Sequence, residues 1–276
     1  WIMAYTTIDD PSAYFQTKIY TGTGSSQAYT FDGNSDMQPD FLWFKQRSEE
    51  REHRLYDSVR GVTKYLEAHQ TGAESTDSGA TGLTALGSDG FTVVSANGVN
   101  AGSSRTYVAW GWKAGTSFTN DASGTGIGSI DSSGSVSDAS GFSIVSYTGT
   151  ESAGTIKHGL SSVPKMIIAK DRDSGSLSWF VGHASLGFTK RLKLDGTNAA
   201  ADNTVWNNTS PTSSVFSVGD SANANTSGNA IIAYCFAEKQ GYSKFGGYTG
   251  NGDVDGTFVY TGFKPAFVMV KRTDGG

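Results

Sequence analysis

Three times along the chain, apolar and small polar residues alternate into a tyrosine-centred turn, and a proline then opens a more apolar run ending on lysine. The clearest copy is Gly141-Phe142-Ser143-Ile144-Val145-Ser146-Tyr147-Thr148-Gly149, followed by Pro164-Lys165-Met166-Ile167-Ile168-Ala169-Lys170. The first copy is Tyr14-Phe15-Gln16-Thr17-Lys18-Ile19-Tyr20-Thr21-Gly22, then Pro39-Asp40-Phe41-Leu42-Trp43-Phe44-Lys45. The third is Gly241-Tyr242-Ser243-Lys244-Phe245-Gly246-Gly247-Tyr248-Thr249-Gly250, then Pro265-Ala266-Phe267-Val268-Met269-Val270-Lys271. Alternation with a period of two predicts a half-buried strand, and the apolar run predicts a strand covered on both faces. In every copy lysine stands six residues after proline (45 − 39, 170 − 164, 271 − 265). Such spacing marks duplicated structural units.

The pattern divides the chain. Residues 1–13 read as a lead-in with a turn at Asp9-Asp10-Pro11. Residues 14–115 form unit one, 141–238 unit two, and 239–276 the start of an incomplete third unit. Inside units one and two the motifs recur in order. Gly61-Val62-Thr63-Lys64-Tyr65-Leu66 is echoed by Gly187-Phe188-Thr189-Lys190-Arg191-Leu192, and Val108-Ala109-Trp110-Gly111-Trp112 by Ile232-Ala233-Tyr234-Cys235-Phe236. Trp179 to His183 takes the place of the His53 to Asp57 strand. Residues 116–140, dominated by Ser, Gly, Asp and Thr, read as a linker that only Ile127 and Ile130 can pin to a neighbour. Short strands separated by long polar loops predict an all-β protein of tandem antiparallel β-sandwich (jelly-roll-like) repeat units. The exit strands near Trp110 and Tyr234 are apolar at nearly every position, so each is central or pressed against the next unit. Only Lys239 and Gln240 separate units two and three. That predicts a rigid contact there, with the 241–245 strand running on from the 231–236 strand, and a looser one between units one and two.

Composition supports the strand reading: 36 glycines in 276 residues leave little room for long helices, and aromatics reach 12%. A net charge of −5 argues against nucleic acid as a partner. Cys235 is the single cysteine, which excludes an internal disulfide, and it stands in an apolar run as a buried thiol. No apolar stretch approaches the roughly 20 residues that span a bilayer, so no membrane insertion is expected. Trp1 is not an initiator and no signal peptide is seen, so the chain reads as a segment of something longer.

Candidate chemistry is sparse. His53 and His183 fall near corresponding points, close to Asp57, Ser58 and Ser185, but no Gly-x-Ser-x-Gly elbow accompanies them. They read as strand-end polar residues, and no catalytic residue is assigned. Asn251-Gly252-Asp253-Val254-Asp255-Gly256 places Asp253 and Asp255 at alternate positions, as calcium loops do, but lacks the closing glutamate and reads as a hairpin turn. No cofactor is called for. Trp179 and Trp206 are candidates for stacking on a sugar ring, with core packing as the alternative; Trp206, flanked by Asn203, Asn207 and Asn208, is the better surface candidate.

Taken together, these motifs resemble a known family. The strings 142–149, His158-Gly159-Leu160 with Pro164 to Ile168, Tyr234-Cys235-Phe236-Ala237-Glu238, 57–66 and Gly241-Tyr242-Ser243-Lys244-Phe245 are similar to a repeat domain of unknown function found in large structural proteins of tailed, mostly marine, bacteriophages. The resemblance covers nearly the whole chain and implies a virion component, tail-fibre or adhesin-like, made in the host cytoplasm and carried on the extracellular particle. It brings no catalytic motif. Expected partners are other virion proteins and a host surface glycan. The likeness to fibres, with the apolar exit strands, implies a homo-oligomer, a trimer. A head or neck decoration protein clamping other virion subunits is the second reading. A polysaccharide-degrading spike is the third, although it calls for paired carboxylates and those here are scattered through turns.

Overall fold

The structure, a computed structural model, describes residues 6–78, 80–102 and 104–275. Its regular elements are almost all short antiparallel strands, in several sheets. The first part of the lead-in lies outside the described residues; its remainder ends in a 3-10 turn, Pro11–Ala13, capped by the Asp10 side chain.

Residues up to 115 form β1 (Phe15–Thr21), β2 (Gln27–Tyr29), β3 (Phe41–Gln46), β4 (His53–Asp57), β5 (Lys64–Glu67), β6 (Ser75–Thr76), β7 (Gly82–Gly87), β8 (Gly90–Val94) and β9 (Thr106–Trp112). They make a large sheet ordered β1-β9-β3-β4-β5-β6 and a small one ordered β2-β8-β7. The following residues form β10 (Thr116–Asn120), the short helix α1 (Ala122–Thr125), β11 (Ser132–Ser137), β12 (Phe142–Thr148), β13 (Gly154–Lys157), β14 (Pro164–Asp171), β15 (Phe180–His183), β16 (Lys190–Lys193) and β17 (Ala201–Asp202). After a 3-10 turn at Thr204–Trp206 come β18 (Val215–Val218), helix α2 (Ala222–Asn225) and β19 (Ala230–Ala237). The second large sheet runs β10-β11-β12-β19-β14-β15-β16-β17, with a small β13-β18 pair beside it. From β12 to β17 this is the order of the first large sheet, strand for strand. The 3-10 turn stands where the first set has β7.

Register explains why the exit strands are apolar throughout. Adjacent residues of a strand point to opposite faces. Leu42 and Phe44 of β3 and Tyr107 and Ala109 of β9 enter a core shared with Phe91 and Val93 of the small sheet. Phe41, Trp43 and Trp112 face the other way, into a core shared with Phe142, Ile144, Ile168, Trp179, Ile232 and Tyr234 of the second large sheet. Ile231, Ala233 and Cys235 of β19 turn to a third core with Ile156, Phe216 and Trp206. The two large sheets therefore seal against each other, with a small sheet outside each. Burying each Phe, Leu or Ile contributes about 1.5–3 kcal/mol. Because β9 and β19 are interior strands covered on both faces within one chain, their apolarity needs no second copy.

One polar device occurs twice. Asn100 Oδ1 accepts from the Thr23 amide at 2.8 Å and its Nδ2 donates to Ser25 O at 2.6 Å. Asn225 does the same with Thr150 N and Ser152 O, both at 2.8 Å. Beside each, a buried tyrosine hydroxyl donates to a carbonyl at 2.6 Å: Tyr20 to Val99, Tyr147 to Ala224.

Three expectations are corrected. Residues 116–140 are not a linker: β10 and β11 extend the second large sheet beside β12, and Ile130 is buried and bridges to Ile156. A Ser/Gly strand fits there because a side chain does not: a Cβ on Gly134 would lie 2.0 Å from Ile144 O. The contact between units one and two is not the looser one; it is an apolar core crossed by the Arg172–Glu74 ion pair. Conversely, residues 239–275 contain no strand among the described residues, only an isolated bridge between Lys239 and Ser243. The 241–245 stretch does not run on from β19, since the chain turns at Gly241 (φ 77°), with the Tyr242 amide donating to Lys239 O. Phe245 still reaches Phe236, at 6.2 Å between ring centroids.

Candidate functional site

The seam between the large sheets holds a buried ionic network. The β4–β5 turn brings Arg60 back to Asp57 (Nε to Oδ2, 2.5 Å), and Arg60 also donates to Leu55 O and Glu74. Glu74 accepts two bonds from Arg172 of the other unit, at 2.9 and 3.0 Å, and the Tyr234 hydroxyl donates to Asp57 at 2.8 Å. Every charge has a partner, so the network is a lock and has no free group for chemistry.

Where this seam opens, at its Trp43 end, a cleft of about 430 Å³ remains. Its walls are Trp43, Trp110, His53, His69, Leu194 and Phe267. Trp43 and Trp110 are cross-strand neighbours of β3 and β9, 6.5 Å apart and edge to face. Phe267 of the C-terminal stretch stands 5.6 Å from Trp110 and 5.3 Å from Trp112. Trp43 Nε1 donates to His53 Nδ1 at 2.9 Å, which leaves the imidazole proton on Nε2. Burial, reinforced by Lys45, pushes His53 down to about 4, so the ring is neutral at pH 7. The lining carries aromatic faces and imidazoles but no carboxylate, hydroxyl or thiol. It can stack and hydrogen-bond a ligand and has no nucleophile–base pair.

The residues singled out in the sequence lie elsewhere. Trp179 and Trp206 are both fully buried, so neither can stack on a glycan. Trp179 donates Nε1 across the seam to Glu67 O at 3.0 Å and stacks on Tyr234 of its own sheet. Trp206 packs edge to face on Phe188; its asparagine neighbours make a turn, Asn203 capping it and Asn207 and Asn208 taking positive φ. Asp253 and Asp255 sit in a run of side-chain-capped turns, with Asp253 Oδ1 accepting from the Asp255 amide. Among the described residues no three His, Cys, Asp or Glu side chains are grouped to hold a metal.

His53 and His183 are not counterparts. His53 pairs with Lys45, whereas His183 pairs with Met166, the place that Asp57 takes opposite Phe41. His183 Nδ1 meets Ser185 Oγ at 2.8 Å with no carboxylate behind it. His158 is buried between Leu160 N and Thr212 O, and burial pushes it down to about 4. The Cys235 thiol is pushed up to about 12 by burial and is inert at neutral pH. Sequence reasoning missed the cleft because Trp43 and Trp110 stand on strands apolar at nearly every position, where nothing marks the rim.

The model of one family, described as "Domain of unknown function (DUF7483)", matches residues 10–276. The chain belongs to that family. No curated protein matches it, and no solved structure does. Among the described residues of this family member, no helix is long and apolar enough to cross a membrane.

Proposed function

We propose that this chain is a non-catalytic structural and adhesive module of a phage virion, tail-fibre or adhesin-like, built of tandem jelly-roll-like β-sandwich units. The observation that carries the reading is the repeated strand order with its twin asparagine clasps, sealed at one apolar seam. Units joined this way transmit load along a fibre without a hinge. The aromatic cleft is the surface that meets a host glycan, because sugar rings stack on tryptophan while imidazoles bond their hydroxyls. The particle assembles from several copies, a trimer, alongside other virion proteins. Antibodies raised to residues 246–262 should decorate fibre or tail structures of intact particles in electron micrographs. Absence of label from particles overturns the virion reading.

A head or neck clamp is the second reading, favoured by the exposed Val268 and Val270, which suit a contact with another subunit. Label confined to head or neck selects it. Loss of glycan-array binding in Trp110→Ala with unchanged melting supports the adhesive role, and unchanged binding removes it.

A further inference from the structure

At a constant offset of 126 residues (190 − 64), β4, β5 and β6 of unit one become β15, β16 and β17 of unit two. Leu55 and Leu66 are ladder partners in the first, Val181 and Leu192 in the second. The Asp77 amide donates to Thr63 O at 2.8 Å, and the Asn203 amide to Thr189 O at 3.0 Å. On the face away from the seam both units stack a guanidinium on an aromatic ring, with the two residues exchanged between strands. Arg54 of β4 lies 4.2 Å over Tyr65 of β5, and Arg191 of β16 lies 4.5 Å over Phe180 of β15.

What surrounds the guanidinium differs. In unit one two carboxylates answer Arg54: Asp77 Oδ1 at 3.6 Å and Glu67 Oε1 at 3.8 Å. Asp77 also accepts from the buried Tyr56 hydroxyl at 2.6 Å. In unit two all three places change: Asp77 becomes Asn203, Glu67 becomes Lys193 and Tyr56 becomes Gly182. Asn203 turns its side-chain oxygen to the Val205 amide. The Trp206 indole fills the space over Gly182, where a Cβ would lie 2.9 Å from its Cε2. The ladder sets Arg191 beside Gly182, one step beyond the Val181–Leu192 pair. Indole and guanidinium therefore converge on one part of the outer face. Trp206 Nε1 and Arg191 Nε are buried there with no hydrogen-bond acceptor among the described residues. Asp202 of β17 is taken by Lys190 at 2.9 Å, and among the described residues neither Arg191 nor Lys193 has an ion-pair partner. Buried donors without an acceptor are costly, and a carboxylate satisfies a guanidinium and an N–H together.

We propose that Arg191, Lys193 and the Trp206 indole N–H form a binding site for the carboxylate group of an acidic sugar, a uronate. The ligand supplies to unit two the acceptor that Asp77 supplies inside unit one. Arg191 and Lys193, both half-buried, make the rim and draw the anion in. Trp206 donates from beneath without presenting its ring. Unit one does not bind at the matching place, because Asp77 and Glu67 already neutralise Arg54 there. The sugar as carrier rests on the adhesive reading; the carboxylate rests on the side chains alone.

The inference fails separately from that reading, which is tested on particles and at Trp110. The probe is sodium glucuronate, added at constant ionic strength to the isotope-labelled 1–276 protein, with acetate and the neutral methyl glucoside as comparisons. The Trp206 indole N–H resonance, identified by its loss in Trp206→Phe, should shift saturably with glucuronate and stay in place with methyl glucoside. Lys193→Glu, which restores the charge of Glu67, and Arg191→Gln should each weaken binding about tenfold or more. The other indole resonances should keep their positions in both variants, which shows that the fold is intact. Glucuronate held about tenfold tighter than acetate or more assigns the sugar; equal binding overturns the sugar and leaves a site for free carboxylates. No saturable shift at Trp206, an equal shift with methyl glucoside, or full binding in both variants overturns the inference.

Discussion

The Tyr234 hydroxyl of β19 donates to the Asp57 carboxylate of β4 at 2.8 Å, across the seam between the two large sheets. Arg60, fully buried at its side chain, donates Nε to the same carboxylate oxygen, Oδ2. Removing the hydroxyl should cost about 1–3 kcal/mol, because Asp57 keeps its charge and loses a donor. Arg60→Ala should cost about 3–5 kcal/mol, since it leaves a buried carboxylate without its cation. Denaturant melts of Tyr234→Phe and Arg60→Ala measure both. A neutral Arg60→Ala variant refutes the lock.

Asn100 and Asn225 should be interchangeable in energetic role. Each buried amide closes a loop through two backbone bonds, so alanine at either place should cost about 1–3 kcal/mol. The two costs should add in the double variant, because the clasps share no partner. Thermal melts of the two single variants and the double variant check this. Strong non-additivity shows the two sets of strands are coupled at the clasps.

Stability should fall as the solution is acidified. His53 and His158 are held at about 4 by burial, below the ordinary 6.5, so the fold binds fewer protons than the unfolded chain between those values. Their contribution is complete above about pH 6.5 and is lost as the pH drops towards 4, on the order of 3 kcal/mol for the fully buried His158. Melting from pH 7.5 to 4.5 should show the decline. His158→Gln should flatten part of it, and an unchanged slope contradicts the assignment.

Limited proteolysis should open the chain first within 246–262, where nearly every residue is exposed and no ladder protects the backbone. Residues 116–140 should survive as long as the strands of the sheets, because β10 and β11 are ladder members. Mass spectrometry of the first fragments decides between the two sites.

Much of the fold is legible in the chain because alternation maps onto faces: the Tyr20, Lys45, Tyr147 and Lys170 patterns all became strands, in the expected order. β10 and β11 were illegible for the opposite reason. β11 reads Ser-Ser-Gly-Ser-Val-Ser, and its place in the sheet depends on the absence of a side chain at Gly134, a signal that polarity scales score as loop. Trp206 misled because its asparagine neighbours look like surface residues, yet they serve the turn that drives the indole inward. The cleft needs Phe267 to arrive from more than 150 residues beyond Trp110 (267 − 110), which no local pattern encodes.

The placing of the last strand in the middle of its sheet has a consequence for synthesis. As the chain leaves the ribosome, β1 and β3 emerge long before β9, and their ladder cannot form until residue 112 is free. The second large sheet waits in the same way for β19. Each nascent unit therefore passes through a period with apolar strands exposed and closes only through contacts distant in sequence, which makes folding slow and aggregation a competing fate. A chain of this design favours a chaperone-rich compartment during translation. It then gains a barrier to unfolding, since extracting the middle strand breaks two ladders at once.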